Sequence, residues 1–209
     1  MQLSKRIERI EESGIRKVFD LATSIGKDAI NLSIGQPHFK TPFELKKAGQ
    51  TAIRNNFNAY TSTKGYEPLR KKIALKLQVD NNIQADENDI IVTAGVSGGL
   101  FLLFSSVLNK GDEVILPDPY FVLYEQILKY LGVKIVLHDT YPDFRLKAEK
   151  IEKLITDKTK LIIVNSPNNP TGMVYDQAEL EELAEIAEKH NLLVVSDEIY
   201  ETFDYDKKF

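Results

Sequence analysis

"LIIVNSPNNPTGMVYD", Leu161 to Asp176, runs four apolar residues straight into two prolines, three asparagines and a glycine. The apolar run has no polar alternation. It therefore reads as a strand buried on both faces, the pattern of a parallel sheet. Beyond the loop, Asp176 stands three residues before Glu179, a capping-box pattern that predicts a helix start. Strand, rigid loop and helix in that order are half of a βαβ unit.

The same rhythm extends outward in both directions. "DIIVT" (Asp89–Thr93), "DEVIL" (Asp112–Leu116), "VKIVL" (Val133–Leu137) and "LLVVS" (Leu192–Ser196) are further short apolar runs. Helices are predicted between them over Leu100–Leu108, up to about Leu131, and over Leu146–Ile155. Strand–helix alternation of this kind predicts an α/β doubly wound sheet, mostly parallel and flanked by helices. Ahead of it the pattern predicts a helical arm over Lys5–Leu21 and a strand over Ala29–Ile34 ending in "GQPHF". Next comes a helix with Thr41 as N-cap and Pro42 in its first position, then a helix over Glu67–Gln78.

The bulk composition narrows the class. The 209 residues are 43% hydrophobic and 28% charged, with a formal net charge of −4 and no cysteine. Disulfides and thiolate metal sites are excluded. The basic residues are spread along helical stretches, which argues against a nucleic-acid partner. No apolar run reaches membrane-span length, and "MQLSKRIERIEES" is too charged for a signal peptide. A cytoplasmic chain with no membrane or nucleic-acid partner is the expectation.

In open parallel sheets, ligands bind outside the carboxyl ends of the strands. Four unusual segments fall at such ends: "TAGVSGG", "PDPYF", "NSPNNPTG" and "SDEIY". "AGVSGG" leads into a helix N-terminus whose free N–H groups suit a phosphate, although a plain tight turn needs such glycines too. "PDPYF" offers aromatic faces that suit either stacking or core packing. "NSPNNPTG" presents the amides of Asn168 and Asn169 on a loop richer in rigid residues than a simple turn requires. "SDEIY" sets Asp197 and Glu198 against an apolar run, where a carboxylate needs a cation, a cap or a proton. Taken together these describe a flat, phosphorylated heteroaromatic cofactor with a protonatable ring nitrogen, and pyridoxal 5'-phosphate fits each element.

Six segments in order, "NLSIGQPHF", "YTSTKGYEPLR", "TAGVSGGL", "PDPYF", "NSPNNPTG" and "SDEIY", resemble the class I aminotransferases, pyridoxal-phosphate enzymes of fold type I. The resemblance implies that the amides of Val96 and Ser97 hold the cofactor phosphate and that Phe121 stacks on the pyridine ring. Asn169 and Tyr200 would hydrogen-bond the phenolic oxygen, and Asp197 would pair with the ring nitrogen. It implies further that Gly35 meets the substrate carboxylate and that Tyr60 reaches the phosphate of a neighbouring subunit in a homodimer. For Gly35 and Tyr60 a tight turn and a core aromatic are equally open readings. His38, His138 and His190 read as surface or element-end histidines without a site role.

The chain resembles about the first half of a family member. Residues 1–45 would form the N-terminal arm and a small-domain portion, and residues 46–209 the incomplete cofactor-binding large domain. By that resemblance the Schiff-base lysine lies beyond Phe209, together with the C-terminal small domain. Lys64, Lys110, Lys207 and Lys208 read as solvated charges rather than substitutes for it. The implied activity is amino-group transfer between an amino acid and a 2-oxo acid, by a chain incomplete and inactive alone. A pyridoxal-phosphate C–S/β-lyase and a non-catalytic cofactor-binding or dimerisation module are the alternatives. A nucleotide-binding doubly wound protein ranks last, since no G-x-G-x-x-G or G-K-[ST] loop is present.

Overall fold

A computed structural model describes residues 3–10, 14–25, 30, 32, 35 and 37–205. The chain divides into two compact units, Glu12–Ala94 and Met1–Glu11 with Gly95–Phe209. The strand expected over Ala29–Ile34 lies outside the described residues except for Ile30 and Leu32, which are exposed and not in a strand. No helix among the described residues is long and apolar enough to cross a membrane.

Among the described residues the unit Glu12–Ala94 holds three α-helices, α1 (Gly14–Ile25), α2 (Phe43–Arg54) and α3 (Glu67–Asn81). The predicted arm is a 3-10 turn over Ile7–Arg9, in the other unit, followed by α1. The start of α2 differs from expectation by one residue. Pro42 is the N-cap, in an extended conformation with ψ 145°, and no side chain caps the helix. Proline fixes φ but contributes no hydrogen-bonding side chain, so it can begin a helix without capping it. The run Asp89–Thr93 is not a strand. The Val92 N–H donates to the Lys64 carbonyl at 2.9 Å, and Lys64 Nζ donates to the Asn88 carbonyl at 2.9 Å. Gly65 adopts φ +103°, and a Cβ there would lie 2.7 Å from Val92 Cβ. The run is thus bound to a turn rather than to a ladder partner.

The larger unit is the predicted α/β layer. Helix α4 (Gly95–Val107) precedes β1 (Glu113–Asp118), α5 (Val122–Leu131), β2 (Lys134–Asp139), α6 (Ala148–Glu152), β3 (Thr159–Asn165), α7 (Gln177–Lys189) and β4 (Leu193–Asp197). The strands are all parallel, in the order β2-β1-β3-β4. The chain adds β2 on one side of β1 and then crosses to β3 on the other. That reversal puts a switch point between β1 and β3.

Side-chain alternation along the central strands builds the two faces. Val114 and Leu116 of β1 with Leu161 and Ile163 of β3 pack against Leu100 and Phe104 of α4 and Tyr124, Ile127 and Leu128 of α5. Ile115, Ile162 and Val164 point the other way, to Ile151 of α6 and Leu183 of α7. Because both faces are covered, neither strand can show a polar alternation in sequence. Helix α4 starts five residues before the expected Leu100, so the glycine-rich segment is its first turn. Helix α6 keeps only five of the ten residues expected over Leu146–Ile155.

The predicted capping box of α7 is present. Asp176 Oδ1 accepts from the Glu179 N–H at 3.0 Å, and Glu179 Oε2 accepts from the Asp176 N–H at 2.9 Å. Glu179 does more than cap, since it also pairs with Arg145 at 2.8 Å and accepts from the Leu146 N–H at 3.1 Å. In urea unfolding, Asp176→Ala will lower stability by about 1 kcal/mol, the usual cost of a lost cap. Glu179→Ala will cost about 2–3 kcal/mol because three donors lose their acceptor. Equal losses from the two variants would refute this division of roles.

Candidate functional site

The site is built where the strands end. From Asp118, the last residue of β1, the chain passes through Pro119 and Tyr120 to Phe121, the N-cap residue of α5. Tyr124 follows three positions later, so it shares a face of the first turn with Phe121. The two rings meet edge to face at 6.0 Å and 87°. Tyr124 is only 1% exposed and donates its hydroxyl to Asp197 Oδ2 at 2.7 Å. Burial, and then the hydrogen bond to Asp197, push the phenol far above its ordinary pKa. Tyr124 therefore stays protonated and serves as a fixed donor.

Asp197 closes β4 and is 8% exposed. Its Oδ1 accepts from the Ile199 N–H at 3.3 Å. No cation pairs with it among the described residues. The neighbouring acid is used differently, since Glu198 accepts from the Ser196 hydroxyl at 2.7 Å and does not line the site.

The loop after β3 is held largely by its own asparagines. Asn168 is buried, and its Oδ1 accepts from the Thr171 N–H at 3.2 Å and the Thr171 hydroxyl at 2.8 Å. Its backbone bonds the Met173 carbonyl at 2.8 Å and the Gly172 N–H at 2.7 Å. The Ser166 hydroxyl accepts from the Tyr175 N–H at 3.2 Å. Of the two amides read as ligand contacts, Asn168 thus serves the loop itself. Among the described residues Asn169 makes one hydrogen bond, from its N–H to Asn165 Oδ1 at 2.7 Å, and its side-chain amide makes none there.

At the start of α4, Gly95 adopts φ +71° and leads into Val96 and Ser97, both exposed. N–H groups in a helix's first turn have no partner within the helix. Six of the predicted residues, Val96, Ser97, Phe121, Asn169, Asp197 and Tyr200, line one cleft of about 230 Å³. Leu100, Leu123, Tyr124, Asn165 and Ile199 complete its wall, and no lysine does so among the described residues.

Gly35 and Tyr60 belong to the unit Glu12–Ala94 and are exposed there. Tyr60 borders a wider groove of about 1280 Å³ with Phe43, Phe57 and Tyr66. That groove has no buried ionisable group in its lining, so the cleft, with its buried carboxylate, is the better candidate for chemistry. His38 is exposed against Phe39, and His190 pairs with Glu152 at 3.0 Å. His138 lies at the end of β2, as expected, and is fully buried there, with Nε2 accepting from the Lys147 N–H at 3.4 Å. Burial, aided by Lys150, holds its pKa below the ordinary range. Lys64 and Lys110 lie outside the cleft, and Lys207 and Lys208 lie outside the described residues.

Sequence reasoning missed the two polar residues that complete this cleft, Tyr124 and Asn165. The helical spacing from Phe121 to Tyr124 is a signal that could have placed the first. Asn165 has a weaker one: it is the polar residue that ends an otherwise apolar buried strand.

A parallel α/β layer with a ligand cleft at the carboxyl edge is the class of protein that fold and site define. The family profile "Aminotransferase class I and II" matches residues 27–209. A "Probable aspartate aminotransferase" of Methanocaldococcus jannaschii is 44% identical over 206 residues, covering 99% of this chain and 54% of its own length. "Aromatic-amino-acid aminotransferase 2" of Thermococcus litoralis is 39% identical over 209 residues, again covering 99% and 54%. Among solved structures, the aspartate aminotransferase from Thermus thermophilus with maleate matches with a TM-score of 0.92 at 36% identity. That match covers 96% of this chain and 54% of the other. The chain belongs to the class I and II aminotransferase family, and it spans about half the length of the curated relatives it matches.

The Tyr124–Asp197 bond sets a testable energy. Tyr124→Phe keeps the ring in its packed position and removes only the donor. Because a hydrogen bond to a charged group contributes about 1.5–3 kcal/mol, urea unfolding of the variant will show a loss of that size. An unchanged midpoint would mean that the bond does not hold Asp197 in solution.

Proposed function

We propose that the cleft binds pyridoxal 5'-phosphate and serves amino-group transfer between an amino acid and a 2-oxo acid. Class I aminotransferases use this cofactor. The observation that carries the reading is Asp197: a buried carboxylate with a fixed donor on one oxygen, no cation partner among the described residues, and an open cleft in front of it. A protonated ring nitrogen supplies the missing cation.

The other residues fit the same group. Asp197 would hold a proton at the ring nitrogen, and Tyr124 would keep the carboxylate oriented toward it. Phe121 would cover a ring face and exclude water. The unpartnered amide of Asn169 would donate to the phenolic oxygen, as would the Tyr200 hydroxyl. The first-turn N–H groups at Val96 and Ser97 would bind the phosphate. When bound, the cofactor supplies an electron sink for charge developing at the substrate Cα.

The reading also pairs two copies of the chain, with Tyr60, fully exposed in its own unit, reaching the neighbour's cofactor phosphate. It takes Gly35 as a substrate contact and the chain as cytoplasmic.

Equilibrium titration with pyridoxal phosphate, followed by absorbance and tyrosine fluorescence, tests the proposal. The chain will bind saturably, and Asp197→Asn will weaken binding about tenfold or more, equivalent to about 1.4 kcal/mol. Absence of saturable binding, or equal affinity of the variant, would overturn it.

A further inference from the structure

We propose that Asn165 is a positioning residue that couples Asn169 to Asp197, so that the phenolic-oxygen contact and the ring-nitrogen contact are set as one unit. The inference rests on the cofactor reading above and assigns a task to a residue that this reading leaves unused.

Asn165 ends β3 and is paired in register with Asp197, which ends β4. It is buried at 4% exposure. Its Nδ2 donates to the Asp197 carbonyl at 2.8 Å, and its Oδ1 accepts from the Asn169 N–H at 2.7 Å. The amide orientation follows from these two partners. Turning it over would set NH2 against an N–H donor and the oxygen against a carbonyl. The Asp197 carbonyl also accepts from the Ser166 N–H at 3.2 Å, so the end of β4 is gripped from both the side chain and the backbone of the loop's first residues.

The coupling is specific because Asn169 has no second hydrogen-bonded tether among the described residues. Asn168, Thr171, Gly172 and Met173 close the loop on itself, and none of them bonds Asn169. The one hydrogen bond that ties the Asn169 backbone to the sheet, among the described residues, therefore runs through the Asn165 side chain. The nearest substitutes do not perform both halves of the task. Aspartate lacks the donor and would place a negative charge beside the Asp197 carbonyl, alanine lacks both groups, and glutamine is one methylene too long.

The test uses Asn165→Ala, Asn169→Ala and the double variant of this chain. In the chain without cofactor, hydrogen exchange at the Asn169 amide will accelerate about tenfold or more in Asn165→Ala, since a closed amide bond is lost locally. Pyridoxal-phosphate affinity will fall about tenfold in each single variant and no further in the double, the non-additivity expected when one residue acts through the other. A merely structural role would instead give multiplied losses, roughly hundredfold in the double variant, and that result would overturn the proposal. Unchanged exchange at Asn169 in Asn165→Ala would overturn it too. If the wild-type chain does not bind the cofactor, the functional reading fails, while the exchange measurement still decides the positioning role. Should Asn165→Ala fail to fold, Asn165→Asp retains the acceptor and removes the donor. Slow exchange at Asn169 in that variant supports the proposal, and exchange as fast as in a free loop contradicts it.

Discussion

A carboxylate at the end of a buried strand is the constraint on which the rest of this site depends. Asp197 is carried into an apolar setting by β4, and a charge placed there without partners is strongly unfavourable. The protein answers with groups that lie far apart in sequence. Tyr124, from the first turn of α5, donates to one carboxylate oxygen, and the Ile199 N–H reaches the other. Both contacts are neutral donors, so neither cancels the charge. The carboxylate is thus held in one orientation facing a cleft, which is a different outcome from burial in a structural ion pair.

That arrangement depends on the sheet topology more than on any one loop. The reversal of strand order between β1 and β3 lets α5 approach from one face while α7 covers the other. Tyr124 therefore reaches the end of β4 from the α5 face, and Asn165 and Asn169 bring the end of β3 and its loop to the same cleft. The packing that fixes Tyr124 is the same cluster that holds Leu116, Leu161 and Ile163. The orientation of Asp197 and the integrity of the core are consequently linked through one side chain.

Legibility in the sequence followed the physics of each element. "LIIV" and "EVIL" were readable as parallel strands because both their faces are covered, and the α7 capping box was readable because its two halves lie three residues apart. "DIIVT" has the same composition and forms no strand, since a strand also needs a ladder partner, and a turn took its Val92 N–H instead. The loop asparagines show the same limit at the level of single residues. Asn165, Asn168 and Asn169 look alike in sequence, yet one bridges two strand ends, one ties the loop and one faces the cleft with its amide open. Local composition announces that such a loop is rigid. Which amide serves which purpose is decided by partners as distant as residue 197.

The cleft also has a polarity that restricts its occupant. At Val96 and Ser97 the first turn of α4 presents N–H groups that the helix itself does not use and the positive end of a helix, whereas Asp197 presents a carboxylate in a setting of low dielectric. A ligand carrying both an anionic group and a protonatable nitrogen is oriented by this pair before any shape matching begins. A purely anionic ligand would be repelled by Asp197, and a purely cationic one would leave the helix end without a partner. At about 230 Å³ the cleft has room for a small planar molecule. The charge pattern therefore favours the class of ligand proposed for the cleft without appeal to the side-chain amide of Asn169 or the hydroxyl of Tyr200.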